Sequence, residues 1–266
     1  MRVAIEGVGM LAPGLEGWLA GCPVLAGTHP FQPTTVPNAE ALLLPPNERR
    51  RSSDCVRWAV QVAQEAITQS GLDPRDVATV YASSGGEMDV LDRLCRALST
   101  AERVISPTLF HQSVHNTAAG YWGIATTCQQ SSTALSCYDD SFAAGLLEAV
   151  TFVCVEERPV LLVAYDLPPP SPLDGARPIQ AGFAVACVLT LSSGRHLAEL
   201  DVQLVASGEC APTNMRDEAL ERVRADNPAA RALPLLVALA CGGEQRVCLN
   251  LLDDQRLIVQ VLSCRN

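Results

Sequence analysis

Cys137 stands two residues before an Asp139-Asp140 pair, and from Ser141 to Val153 the chain is mostly apolar and carries no charge except Glu148. A thiol at a helix N-terminus has its pKa lowered by the dipole, so Cys137 is a candidate thioester nucleophile. Eleven cysteines are spread through the chain, so a cysteine at any one position carries little information, and Cys137 reads first as a small buried hydrophobe. Asp139 beside Asp140, ahead of an apolar helix, is also an ordinary N-cap. His111 and His115 are four apart, the spacing of two ligands on one helix face. The segment between them holds no acid and no helical pattern, so no metal site is expected. Ser83, Ser84 and Ser113 invite a hydrolase reading, but no G-x-S-x-G elbow occurs. Gly85-Gly86 without a lysine is a tight turn rather than a phosphate loop.

Strands and helices in alternation would have to hold these residues. Residues 2–9 read as a first strand, ending at Gly7-Val8-Gly9. Residues 12–50, rich in Pro and Gly, read as a long irregular excursion. Asp54–Ser70 has the apolar spacing of a helix and is closed by Gly71. A strand over Val77–Ser83 runs into the Gly85-Gly86 turn, and a helix follows over Met88–Leu98. Ala118–Thr127 is a small-residue helix, about 133–136 a short strand, and Ser141–Val153 a buried helix. Pro159–Tyr165 and Phe183–Leu191 are continuous apolar strands. Leu233–Ala240, Arg246–Leu252 and Leu257–Leu262 read as a strand meander, after a charged surface segment over 210–232. The order predicts an α/β layered domain.

Composition narrows the function. The 19 basic residues against 29 acidic ones give a net charge of −10, which argues against a nucleic-acid partner. All 19 basic residues are arginine, which excludes a lysine Schiff base and a P-loop lysine. No stretch approaches the ~18 apolar residues of a membrane helix. The start reads as a strand rather than a signal peptide. With no CxxC pair and an odd cysteine count, the thiols are expected to be reduced, mostly buried and cytoplasmic.

From Ile105 to Ala149 the chain resembles the region around the nucleophile in β-ketoacyl synthases, the thiolase-fold condensing enzymes of fatty acid and polyketide synthesis. The shared positions are Ser106-Pro107, Asn116, Ala119-Gly120, Ser141 and Glu148-Ala149. Gly7-Val8-Gly9-Met10-Leu11 with Pro13 is similar to their first strand and turn. Ser70-Gly71-Leu72-Asp73 is similar to the tetrapeptide before their second strand. The resemblance implies a thiolase-like fold, in essence one condensing-enzyme half in a single domain over 1–266. Residues 1–200 carry the family pattern and 201–266 a reduced set of C-terminal strands.

The same resemblance exposes what is missing. Condensing enzymes fuse two such halves, and the second carries two histidines that polarise the thioester and stabilise the enolate. None of the four histidines here lies in such a motif. Losing an oxyanion donor costs ~10²–10³ in rate. Aligned without gaps, the nucleophile position falls on Asp139, a poor acyl acceptor because an acyl-aspartate is an anhydride. A register with a two-residue gap places Cys137 there instead. The gap-free register is preferred because it keeps Ser141 and Glu148-Ala149 aligned.

What the resemblance implies is a non-catalytic subunit of chain length factor type, like the short form beside aryl-polyene and xanthomonadin-like pigment synthases. Its partner would be a full ketosynthase in a heterodimer, extending chains on an acyl carrier protein, with no cofactor of its own. Two other readings stay open: an acyltransferase using Cys137, and a purely structural scaffold. The loop after Ser106-Pro107 would bring Thr108, Leu109 and Phe110 to the floor of the neighbour's acyl pocket. Asn116, Ala118, Ala119, Gly120, Gly123 and Ala125, with the strand at 133–136, would form the interface.

Overall fold

A computed structural model describes residues 1–191 and 196–263. The strands are β1 (Arg2–Ala12), β2 (Leu15–Glu16), β3 (Ala78–Ala82), β4 (Ser132–Leu135), β5 (Val160–Asp166), β6 (Phe183–Thr190), β7 (Ala198–Ala206), β8 (Glu244–Leu251) and β9 (Gln255–Ser263). The helices are α1 (Trp18–Leu25), α2 (Pro46–Arg51), α3 (Asp54–Ser70), α4 (Met88–Ser99), α5 (Pro107–Gln112), α6 (Thr117–Thr126), α7 (Ser141–Glu156), α8 (Leu173–Ala176), α9 (Glu218–Asp226) and α10 (Leu233–Cys241).

One sheet runs in the order β4-β3-β5-β6-β1-β7-β9-β8, with β2 beside β1. β3 is parallel to β4 and β5, and the other ladders are antiparallel. The apolar runs of β5 and β6 are buried on both faces, as strands covered on two sides require. Leu161, Val163 and Tyr165 enter the core under α3. Val160, Leu162 and Ala164 enter the core under α7. α3 lies on β1, β5 and β6, with α6 against it, while α7 covers β3 and β5 from the other side. β1 and α3 approach so closely that a Cβ at Gly7 or Gly9 would strike the carbonyls of Ala66 and Val62. That accounts for the glycines at the strand's centre.

α3 has the predicted bounds. Its N-cap Ser53 accepts from Val56 N–H at 3.1 Å, and Gly71 closes it at φ 73°. Three expectations need correction. Leu233–Ala240 is helical: a short, wholly apolar run fits strand or buried helix alike, and Leu, Ala and an early Pro234 favour the helix. The 12–50 excursion contains α1 and α2. β7 went unread although Ala198, Leu200 and Val202 alternate inward between Glu199, Asp201 and Gln203.

The cysteines also depart from expectation. Cys210 and Cys248 form a disulfide across 38 residues. Thr213 brings the two segments together: its N–H donates to Cys248 O at 2.8 Å, and its Oγ1 accepts from Cys248 N–H at 2.9 Å. Of the eight free thiols among the described residues only Cys187 is fully buried, and Cys264 lies outside them. No helix among the described residues is long and apolar enough to cross a membrane.

Candidate functional site

The edge strand β4 delivers the chain to a 3₁₀ turn, Tyr138–Asp140, that leads into α7. Ser141 Oγ fixes this turn by accepting from Cys137 N–H at 3.0 Å and donating to Tyr138 O at 2.8 Å. Tyr138 takes a positive φ of 50° and projects outward. Asp139 follows, 40% exposed, between two arginines from distant segments. Arg231 Nη2 donates to Asp139 Oδ2 at 3.2 Å. Arg177 Nη2 lies 2.6 Å from Oδ1, and the Arg177 guanidinium stacks 3.9 Å over the Tyr138 ring. Arg177 meets the carboxylate by charge proximity, off the hydrogen-bonding direction.

Asp140 accepts from Leu252 N–H at 3.0 Å, and burial raises its pKa despite that bond. An open cavity of about 610 Å³ lies in front, lined by residues 137–140, Arg231, Asn250, Leu252, Asp253 and Arg256. Arg177, Arg231 and Arg256 stand against Asp139, Asp140 and Asp253, so the formal charges cancel. No histidine lines the cavity. The helix dipole alone would depress the Cys137 thiol. Instead burial, and then the Asp140 carboxylate, push it up. A protonated thiol is a poor nucleophile.

The other sequence candidates separate. His111 lies on α5, whereas His115 lies in the turn beyond it, with Nε2 3.1 Å from Ser83 O, so the two share no helix face. Among the described residues no cluster of three His, Cys, Asp or Glu side chains is placed to hold a metal. Ser83 and Ser84 serve buried Asp166: its Oδ1 accepts from Ser83 Oγ at 3.0 Å, Ser84 N–H at 2.9 Å and Ser84 Oγ at 3.0 Å. Burial raises Asp166 to about 6 against those bonds. Ser113 Oγ donates to Phe110 O at 2.8 Å, closing α5. Gly86, at φ 58°, makes the tight turn.

The segment after Ser106-Pro107 is a helix rather than a loop. Ser106 caps α5, Thr108 and Phe110 face outward, and Leu109 is half-buried. On α6, Asn116 and Gly120 are exposed and Gly123 partly so, while Ala119 and Ala125 pack partly inward. Ala118 is wholly buried toward α3, so its small size serves the core and not an open face. Arg177 and Arg231 escaped the sequence reading. Arg231 had a signal, a lone charge inside the apolar run 228–239, because a buried charge requires a partner. Arg177, in a proline-rich stretch, had none.

A chain of the ketosynthase (ApeO) in complex with its chain length factor (ApeC) from Xenorhabdus doucetiae has 24% identity and a TM-score of 0.74, over 98% of this chain and 99% of that one. The ishigamide ketosynthase/chain length factor has 12% identity and a TM-score of 0.74, over 100% of both chains. AntDE:AntF, a type II PKS acyl-carrier protein in complex with its ketosynthase bound to the hexaketide, has 14% identity and a TM-score of 0.76, over 99% of both. At these identities the likeness establishes the fold. A search of curated proteins found no match. Residues 26–247 match the model of the β-ketoacyl synthase N-terminal domain, and the chain belongs to that family.

Proposed function

We propose that the chain is a non-catalytic subunit of chain length factor type. It pairs with a full ketosynthase and shapes that partner's acyl pocket while chains are extended on an acyl carrier protein, as in aryl-polyene-like pigment synthesis. The observation that carries this reading is that Asp139, which we read as standing at the nucleophile position, is held by Arg177 and Arg231. A carboxylate neutralised by two guanidiniums has little tendency to attack a thioester. The raised Cys137 thiol speaks against the acyltransferase alternative. Solved structures with this fold include complexes of a ketosynthase with a chain length factor, and one with a carrier protein.

The proposed partner surface is the free edge of β4, which pairs only with β3, together with the outward sides of α5 and α6. Phe110, Val114, Ile124 and Tyr138 are exposed apolar or aromatic side chains there. An unpaired edge beside such side chains is the kind of surface that association covers. Residues 201–266 continue the sheet through β7, β9 and β8, and we read them as the reduced C-terminal part of one domain. Two measurements test the proposal. The isolated chain should release no CO₂ from malonyl-carrier protein above the no-enzyme blank. Co-expression with its ketosynthase should give a stable heterodimer with condensing activity. Turnover by the isolated chain that disappears in Cys137→Ala would sink the proposal and promote the acyltransferase.

A further inference from the structure

An open groove of about 690 Å³ lies between α3, the end of β1, the start of α1 and the 37–42 segment, away from Asp139. Its walls are pinned to α3. Gln61 Oε1 accepts from Glu40 N–H at 2.8 Å, which fastens the 37–42 segment. Glu65 accepts from Met10 N–H at 3.1 Å and Trp18 N–H at 2.6 Å, which fastens β1 and the start of α1. The groove is therefore preformed, and its volume falls in the range of about 300–1,000 Å³ usual for ligand sites.

Two large apolar side chains stand at its rim, Leu19 (82% exposed) and Leu42 (64% exposed). Three carboxylates, Glu16, Glu40 and Glu65, line it, and no arginine does. Among the described residues none of the three is in an ion pair. Glu16 receives only a hydroxyl bond, from Thr34 at 3.2 Å. On the edge of β1 that faces the groove no strand pairs residues 6–10, but Val8 N–H and Met10 N–H are already taken by Gln69 and Glu65 and Met10 O by Gly17 N–H, so little is left there for an extended peptide.

We propose that this groove docks a basic amphipathic helix of a partner protein. Leucine-like residues of that helix would pack on Leu19 and Leu42, and Lys or Arg residues one turn away would meet Glu16 and Glu40. Spacing of three and four residues on one helix face supplies both kinds of contact. Burial already pushes the Glu65 carboxyl up, and an approaching cation would relieve that cost.

The probe is a fluorescein-labelled Leu/Lys peptide of about four helical turns, titrated into the full chain by anisotropy. Saturable binding is expected, weakened about tenfold or more by Leu42→Asp. That variant decides between two causes because it adds negative charge. Mere attraction to a chain of net charge −10 would tighten with Leu42→Asp, whereas groove docking weakens. Glu16→Gln with Glu40→Gln should weaken it comparably, and a Leu/Glu peptide should not bind. All three positions are exposed, so unchanged melting confirms the fold. Unsaturable binding, or affinity unchanged or raised in Leu42→Asp, overturns the proposal.

Discussion

Asp139 and Arg231 are 92 residues apart in the chain, and a hydrogen bond of 3.2 Å joins them. The bond ties the entrance of α7 to the 3₁₀ turn Ala229–Ala232 that leads into α10. Asp139→Ala would leave Arg231 and Arg177, both mostly buried, without their carboxylate. Removing one partner of a buried pair costs about 3–5 kcal/mol. Asp139 is 40% exposed, so solvent screening reduces the expected loss to about 1–2 kcal/mol, read as a lower urea midpoint. Asp139→Cys should lose similar stability and still perform no condensation, because no histidine lines the cavity.

Gly120 separates the isolated chain from the proposed heterodimer. A Cβ placed there would meet nothing within 4 Å, although the residue lies inside α6. Gly120→Ala should therefore stabilise the isolated chain by up to ~1 kcal/mol. Gly120→Trp should leave its fold intact yet abolish co-purification with a ketosynthase. A tryptophan variant that pairs normally would move the interface away from α6.

Much of the N-terminal two-thirds of the fold, though not α1, α2 or α5, was legible because its signals are local. Apolar spacing and Gly71 gave α3 its bounds, and unbroken Val/Leu/Ala runs gave β5 and β6. The failures came where local pattern is degenerate. The period of Leu233–Cys241 does not separate strand from helix, and its Leu/Ala content, its early Pro234 and its burial between α1 and the β8-β9 hairpin together select the helix. Asp139 was singled out by the order of the family pattern along the chain. Arg177 and Arg231 reach it only through the tertiary fold, as Cys210 reaches Cys248, and no spacing in one sequence encodes such meetings.

Glu87 gives the chain a pH signature. It is buried, and its carboxylate accepts from Ser53 Oγ at 2.9 Å. Burial raises its pKa from 4.5 to about 7 against that bond, with Asp89 and Asp54 adding smaller pushes upward. Across that window the folded chain holds a proton that the unfolded chain has released. Stability from this group is thus complete below pH 4.5 and is lost as pH rises through about 7. The loss amounts to about 3 kcal/mol at most. Glu87→Gln should flatten this part of the stability–pH curve and be more stable than the parent at pH 8. Parallel curves for the two proteins would show that Glu87 does not take up the proton.

The disulfide should contribute measurably. Closing a loop of 38 residues restricts the unfolded chain by about 2–4 kcal/mol. A reducing agent, or Cys210→Ala, should lower the melting temperature, and the two together should do no more than either alone. Free-thiol titration of the native protein checks the pairing: blocking should spare Cys210 and Cys248 until reductant is added.

The last prediction concerns how a subunit without chemistry could set product length. Thr108 and Phe110 project from α5, Phe110 with 66% of its surface exposed, while Leu109 is half-buried. If α5 reaches the floor of the partner's acyl pocket, Phe110 and Thr108 form the wall and Leu109 sets how firmly it stands. A polyene is rigid and cannot fold back, so its length is fixed by the position of that wall. Phe110→Ala or Thr108→Gly should then lengthen the carrier-bound products. Leu109→Trp, by overpacking at about 1–3 kcal/mol, should push the wall outward and shorten them. Early elongation rates should change little, because short intermediates never touch the wall. Mass spectra of carrier-bound intermediates from the reconstituted pair decide the matter. If every product falls together with an unchanged length distribution, α5 is an interface element only, and the scaffold reading takes the place of the wall.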